Sequence, residues 1–543
     1  MRKTDINGKL AQFAWWALAT IVFTLVVAIR IRLLGIPLER DEGEYAYAGQ
    51  LILQGIPPYK LAYNMKFPGT YAAYALIMSI FGQTIDAIHL GLLLVNVTTI
   101  ALIFLIGRRL VDSMAGVTAA ASYAILSVSP SVLGLAAHAT NFVILPVLAG
   151  TLLLLRGSGV PSLEPIQPKQ FIRLFCSGLL FGIGALMKQP ALFFIPFGAT
   201  YIVWNDLQRR SAVQKIFLRI FAFAIGVFAP LGTTCLILSH AGVLDKFWFW
   251  TIRYAAEYAT LVPPNQVAHV FLSNAIDVVE TGWPLWMLAG IGVVAGLWNQ
   301  RMRGSTTFLI GFFFFSALAL CQGSYFRPHY FILILPAISL LAGAAVAKLS
   351  QLLAARMVVI RFASVLLLLA CLSVPILRDK EVFFATSPIQ ACQTIYMGNP
   401  FVEAVRIADY LREHTKPDDT IAVLGSEPEI YFYSQRHSAT GYIYTYALME
   451  PQKYAQQMQQ EMIAEIERAH PKYVVSVVTF YSWLWRAASE RSILTWANEY
   501  TAQNYVVDGF VNITPKETDY FFGNVPSSVE TLKDYILIYK RKL

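Results

Sequence analysis

The stretch "FAWWALATIVFTLVVAI" (13–29) is the first of many apolar runs along the chain. Similar runs recur near 11–31, 87–107, 114–132, 141–156, 171–187, 190–207, 217–239, 282–298, 306–322, 330–348 and 357–376. Each is roughly the 17–22 residues that a helix needs to cross the hydrocarbon core of a bilayer. The pattern therefore predicts about eleven membrane-spanning helices. One further stretch, "KFPGTYAAYALIMSIFG" (66–82), is apolar but short, and it opens on Lys66 and Pro68. Counting it as a span would invert every later loop. It reads instead as a helix lying in the outer interface, which leaves 37–86 as one long external loop.

Beyond residue 377 the period changes. The segment "NPFVEAVRIADYLREHT" (399–415) is amphipathic, and "TIAVLG" (420–425) reads as a buried strand. A helix over 451–469, a strand "KYVVSVV" (472–478) and a closing strand "DYILIYKR" (534–541) follow. This alternation predicts a small α/β domain. The expected fold class is a polytopic α-helical membrane protein with a C-terminal soluble α/β domain, divided into 1–377 and 378–543.

Composition agrees with the pattern. The chain is 56% hydrophobic and 14% charged, against roughly 25% charged in soluble domains, and its mean hydropathy is +0.54. Residues 1–377 carry 26 basic and 13 acidic side chains, and residues 378–543 carry 16 and 20. Basic residues collect on alternate loops: Arg108 and Arg109; Arg156, Lys169 and Arg173; Arg209, Arg210, Lys215 and Arg219; Arg301 and Arg303; Lys348, Arg356 and Arg361. Arg2, Lys3 and Lys9 precede the first run, which no cleavage site follows, so it reads as a retained anchor. The positive-inside rule then places the N-terminus in the cytoplasm and the C-terminal domain outside, in a plasma or bacterial inner membrane. The five cysteines lack metal or redox spacing, and there is no nucleotide-binding glycine pattern or internal repeat. Sequons at Asn96 and Asn512 are unspecific.

Nine basic residues fall on the outer side against that rule, among them Arg30, Arg32, Arg40, Lys60, Lys66, Lys188 and Arg327. Some can snorkel to headgroups. A cation there otherwise calls for an anionic partner, and a lipid phosphate is the obvious one. Charge is densest in "PLERDEGEYAYAGQLILQG" (37–55). Asp41 can cap a helix over about 42–54, with Glu44 completing a capping box and Gly55, Pro57 and Pro58 ending it. That leaves Glu42, Tyr45 and Tyr47 unexplained. An ionised carboxylate outside the membrane, beside cations, can also take a proton from an acceptor hydroxyl while the cations neutralise a departing phosphate.

The Asp-Glu pair after the first span, the Lys-x-Pro helix in the same loop, "GIGALMKQPALFFIP" (182–196) and "SYFRPHYFILILPAISLLAG" (324–343) come in a telling order. Together they resemble the GT-C superfamily of membrane glycosyltransferases, over residues 10–345. Similarity is greatest to the protein O-mannosyltransferase-like family (glycosyltransferase family 39) and the lipid A aminoarabinose transferases. The resemblance implies transfer of a sugar from a polyprenyl-phosphate donor to a lipid, glycan or protein acceptor on the extracytoplasmic face, with inversion. By it Asp41 matches the catalytic acid and Glu42 its neighbour, with Glu44 and Tyr45 lining the substrate site. Lys66, Lys188 and Arg327 would hold the donor phosphate, and His329 and Tyr330 would line the donor site. His138 and Asn141, in "AAHATNF" (136–142), stand where many relatives carry an acid and are weaker acceptor contacts. Met65 replaces a glutamate of the aminoarabinose transferases and Phe67 the first proline, which removes that acid as a metal ligand. A divalent metal is thus compatible but not indicated, no cofactor is called for, and the partners expected are membrane lipids and no nucleic acid. The rival readings are a polytopic transporter or lipid flippase, and a non-catalytic binding protein. Transporters favour repeats and mid-span charges, whereas these acids cluster at one outer face.

Overall fold

A computed structural model describes residues 2–157, 168–298, 303–354, 363–514, 517–525 and 533–542. The cations Arg301, Arg356 and Arg361 lie outside the described residues. Among those described, six helices are long and apolar enough to cross a membrane: Phe13–Arg32, Ile85–Leu110, Ala139–Arg156, Pro168–Met187, Val213–His240 and Leu335–Leu352. A seventh candidate is the pair Val267–Thr281 and Trp283–Trp298, bent by 96° at the junction. The predicted run 114–132 is not one helix. It is a 14-residue helix, Ser113–Leu126, followed by a 3₁₀ turn at Pro130–Val132, because Pro130 cannot continue the backbone ladder.

The chain divides into two compact units, and the division does not follow one cut point. The first unit comprises Met1–Leu34, His89–Thr234 and Pro264–Thr386. Its helices pack through small residues. In the Pro168–Met187 helix, Gly178 and Gly182 let the backbone approach the Val213–His240 helix so closely that a Cβ would lie 2.0 Å from the Phe223 carbonyl oxygen or 2.2 Å from that of Val227. Four-residue spacing puts both glycines on one helix face, which is how membrane helices gain dispersion contact without a hydrophobic driving force. Arg30 does not present its charge to a lipid phosphate. Its guanidinium donates to the Gly134 and Ser127 carbonyls, each at 3.0 Å. Asn96 is likewise turned inward, donating to the Leu92 carbonyl at 3.2 Å.

The second unit comprises Gly35–Ile88, Cys235–Pro263 and Ser387–Leu543. A six-stranded mixed sheet of order β2-β1-β3-β6-β4-β5 forms its centre. The strands are β1 (Thr420–Leu424), β2 (His437–Ser438), β3 (Tyr473–Val478), β4 (Tyr505–Ile513), β5 (Thr518–Phe522) and β6 (Asp534–Arg541). β1 is parallel to β2 and β3, and the remaining pairs are antiparallel. Helices Phe401–His414 and Ala455–Ala469 match the expected segments.

Around this sheet folds the predicted external loop. Its two helices, Arg40–Leu53 and Pro68–Phe81, pack on each other, and the first also packs on the Glu429–Ser434 helix. The Leu38 amide donates to the Tyr433 hydroxyl, the Ser438 amide to the Tyr47 hydroxyl, and the Tyr63 amide to the Gly441 carbonyl, at 2.8, 2.8 and 2.6 Å. Trp250 is buried against Tyr63 and Tyr254, while Trp248 is 52% exposed.

Candidate active site

The Arg40–Leu53 helix begins two residues earlier than the sequence suggests, and Asp41 is not its cap. Glu39 caps it, accepting from the Glu42 amide at 2.9 Å, while Glu42 Oε2 accepts from the Glu39 amide at 3.3 Å. The box is thus built by Glu39 and Glu42, not by Asp41 and Glu44. A glutamate is an uncommon cap, so the shorter aspartate drew the assignment. The outcome releases Asp41 and Glu44 from capping and accounts for Glu42.

One helical turn separates Asp41 from Glu44, so both carboxylates emerge on one side of the helix. Lys66 lies between them, its ammonium donating to Asp41 Oδ1 at 2.8 Å and to Glu44 Oε2 at 2.7 Å. Glu44 is fully buried and also accepts from Asn64 at 2.8 Å and from the Tyr71 hydroxyl at 2.6 Å. Asp41 retains 14% side-chain exposure and accepts from the Tyr444 hydroxyl at 3.4 Å. The Lys66 ammonium sits over the Tyr45 and Tyr444 rings, 4.6 and 5.4 Å from their centroids. Burial would lower the Lys66 pKa, but Asp41 and Glu44 together raise it above the ordinary lysine value, so the ammonium persists. Burial pushes the Glu44 carboxyl up, against the pull of Lys66. Tyr444 is raised well above its usual value by burial and then by Asp41, which makes it a neutral donor.

A second centre forms in the first unit, where helices are interrupted. Lys188 ends the Pro168–Met187 helix and precedes the 3₁₀ turn Gln189–Phe193. His329 and Tyr330 lie on another 3₁₀ turn, Pro328–Leu333. Lys188 Nζ is 3.2 Å from His329 Nε2 and 4.2 Å from the Tyr330 ring centroid. The His138 ring stacks on His329 at 4.0 Å. Asn141 is buried, its backbone N–H donating to the His138 carbonyl at 3.0 Å and its side-chain amide to the Ala136 carbonyl at 3.3 Å. Arg327 precedes the turn with its guanidinium over the Tyr325 ring, 5.5 Å away. Phe326 adopts a left-handed φ of 44° beside it, a strained geometry for a bulky side chain.

A family model for dolichyl-phosphate-mannose-protein mannosyltransferases matches residues 66–233. No curated protein sequence matches the chain significantly. Among solved structures, the oligosaccharyltransferase AglB of Archaeoglobus fulgidus, in complex with an inhibitory peptide and a dolichol-phosphate, is similar over 95% of this chain and 75% of its own, with a TM-score of 0.56 and 14% identity. ArnT of Cupriavidus metallidurans, bound to undecaprenyl phosphate, is similar over 96% of this chain and 98% of its own, with a TM-score of 0.57 and 14% identity. The chain shares the fold of these two transferases.

Within this fold, the expected residues Asp41, Glu44, Tyr45 and Lys66 meet at one centre, and Lys188, His329, Tyr330 and His138 at another. Lys66 faces two carboxylates, a pairing that the sequence did not suggest. Asn64, Tyr71 and Tyr444 were missed. Asn64 stands two residues from Lys66 and could have been flagged by proximity; Tyr444 lies 403 residues from Asp41 and carries no local signal.

Proposed function

We propose that this chain transfers a sugar from a polyprenyl-phosphate carrier to an acceptor on the extracytoplasmic face of a plasma membrane. The observation that carries the reading is the Asp41–Lys66–Glu44 centre, with Glu44 fully buried, on the loop after the first apolar helix. The match to mannosyltransferases that use dolichyl phosphate supports it, as do the polyprenyl phosphates bound by AglB and ArnT.

Asp41 accepts the proton of the attacking acceptor hydroxyl. The acceptor oxygen bonds to the anomeric carbon as the bond from that carbon to the phosphate oxygen breaks. Its electron pair leaves with the polyprenyl phosphate, and one displacement inverts the centre. Lys66 and Tyr444 orient the Asp41 carboxylate through Oδ1, and Glu44 anchors Lys66. Lys188 and Arg327 neutralise the leaving phosphate, with His329 and Tyr330 shaping that site. His138 and Asn141 take the lesser part of acceptor contacts, and Glu42 keeps its capping duty.

The test supplies purified protein with polyprenyl-phosphate sugars and measures release of the free polyprenyl phosphate. Asp41→Asn should cut the rate by at least about 10²-fold, the lower range for a general base. Near-normal transfer by that variant would remove Asp41 from the chemistry. Movement of lipid without any sugar release would instead favour a flippase.

A further inference from the structure

The turn that leaves β1, Gly425–Ser426–Glu427–Pro428–Glu429, lies at the carboxyl end of a strand with parallel neighbours on both sides. In open α/β sheets that edge is where ligands bind. Here it receives a piece of the same chain. Arg40, the residue before Asp41, donates through Nε to the Ser426 carbonyl and through Nη2 to Glu427 Oε1 at 3.2 Å. Glu427 has no exposed side-chain surface, and its other oxygen accepts from the Ser482 hydroxyl at 2.7 Å. Ser482 Oγ in turn accepts from the Ser426 amide at 2.9 Å. The Arg40 guanidinium is flanked by the Phe401 and Tyr446 rings, 5.3 and 5.2 Å away.

A second contact fixes the same helical turn. A Cβ on Gly43 would lie 2.6 Å from the Glu429 backbone nitrogen, so the helix rests directly on the backbone of the β1 turn. Ion pair and backbone contact are independent, and they bracket Asp41 in sequence.

We infer that Arg40, with Glu427 and Ser482, is a positioning device that sets the rotation and depth of the helix carrying Asp41. On this view the C-terminal domain takes part in catalysis without touching substrate: it supplies the socket from which the base is aimed. The chemistry suits the duty. A guanidinium bonded at two points fixes direction as well as distance, which a lysine cannot do. A base displaced by about 1 Å costs on the order of 10²-fold in rate.

The inference rests on the function proposed above, so its test needs one readout that is independent of activity. Hydrogen–deuterium exchange on intact protein in detergent should show faster exchange across residues 40–46 in Arg40→Gln, with residues 401–414 unchanged. In the transfer assay, the folded fraction of Arg40→Gln should lose about 10²-fold in kcat with the KM for donor and acceptor within about twofold. Arg40→Lys should recover part of that loss, because it restores charge but not the two-point bond. Ser482→Ala, a milder change, should give an intermediate loss and serves if Arg40→Gln does not fold. Unchanged exchange over 40–46 in Arg40→Gln and Ser482→Ala, or a loss carried by KM, would overturn the positioning role. If wild-type protein transfers no sugar while the exchange changes as stated, the socket stands and the glycosyltransferase reading fails.

Discussion

Lys66 holds two acids, one of them fully buried, and that asymmetry governs what its removal does. Lys66→Met leaves the Glu44 carboxylate buried without its cation, a change that costs about 3–5 kcal/mol for a buried pair. The double variant Lys66→Met/Glu44→Gln removes both charges and should regain most of that stability without regaining transfer. Denaturation midpoints and sugar-transfer rates on the same preparations decide it; equal loss of stability in both variants would count against the buried pair. Glu429 makes a different demand. It has no exposed surface, and among the described residues no other residue donates a hydrogen bond to either carboxyl oxygen. Burial, with Glu427 adding to it, pushes this carboxyl well above the usual glutamate range. An acid raised on folding contributes its stability below the ordinary glutamate pKa and loses it as pH rises toward the folded value. Glu429→Gln cannot ionise, so its stability, read from melting temperatures between pH 5 and 8, should gain on wild type as pH climbs above the ordinary glutamate pKa, by on the order of 1 kcal/mol for each pH unit inside the window. A constant difference across that range would mean that Glu429 does not titrate there.

At the scale of elements, the helix carrying the acids shows where pattern reading succeeds and where it stops. The helix itself, its end near Gly55 and the short helix after Pro68 were all legible, because caps, glycines and prolines act locally. The identity of the cap was not, since four acids within six residues offer rival boxes and only packing selects one. The correction moves a stability effect from one residue to another. Glu39→Ala should cost about 1 kcal/mol through the lost cap, and Asp41→Ala should not cost that term. Thermal unfolding of the two variants side by side tests this, and a larger loss in Asp41→Ala would reverse the assignment. The sheet was legible at β1, β3 and β6, whose apolar runs are continuous. β4 and β5 were missed, because Asn512, Asp519 and exposed Val506 and Val507 interrupt the alternation that marks a half-buried strand.

For the whole molecule, the order of four sequence landmarks was enough to suggest the fold, whereas the partners of Asp41 and Arg40 were beyond reach. Tyr444 and Glu427 meet them only through chain folding, and no spacing rule spans such separations. The same folding gives a topological expectation. Residues 35–88 and 387–543 belong to one compact unit, so they are expected to lie on one side of the membrane. Cysteines placed at exposed Lys60 and Lys416 in a cysteine-free background should both react with an impermeant maleimide from the outside, and one placed at Arg109 should not. Labelling of Lys60→Cys and Lys416→Cys from opposite sides would break the unit.

Arg40 and Glu427 are 387 residues apart, and that distance is also a time. At synthesis rates of about 5–20 residues per second, the first external loop leaves the ribosome about 20–80 s before the turn that receives it. During that interval Arg40 lacks Glu427 and Asp41 lacks Tyr444. The site is therefore completed only after the remaining helices have been made, and a chain released before β1 is made carries Asp41, Glu44 and Lys66 but neither Tyr444 nor the turn that receives Arg40.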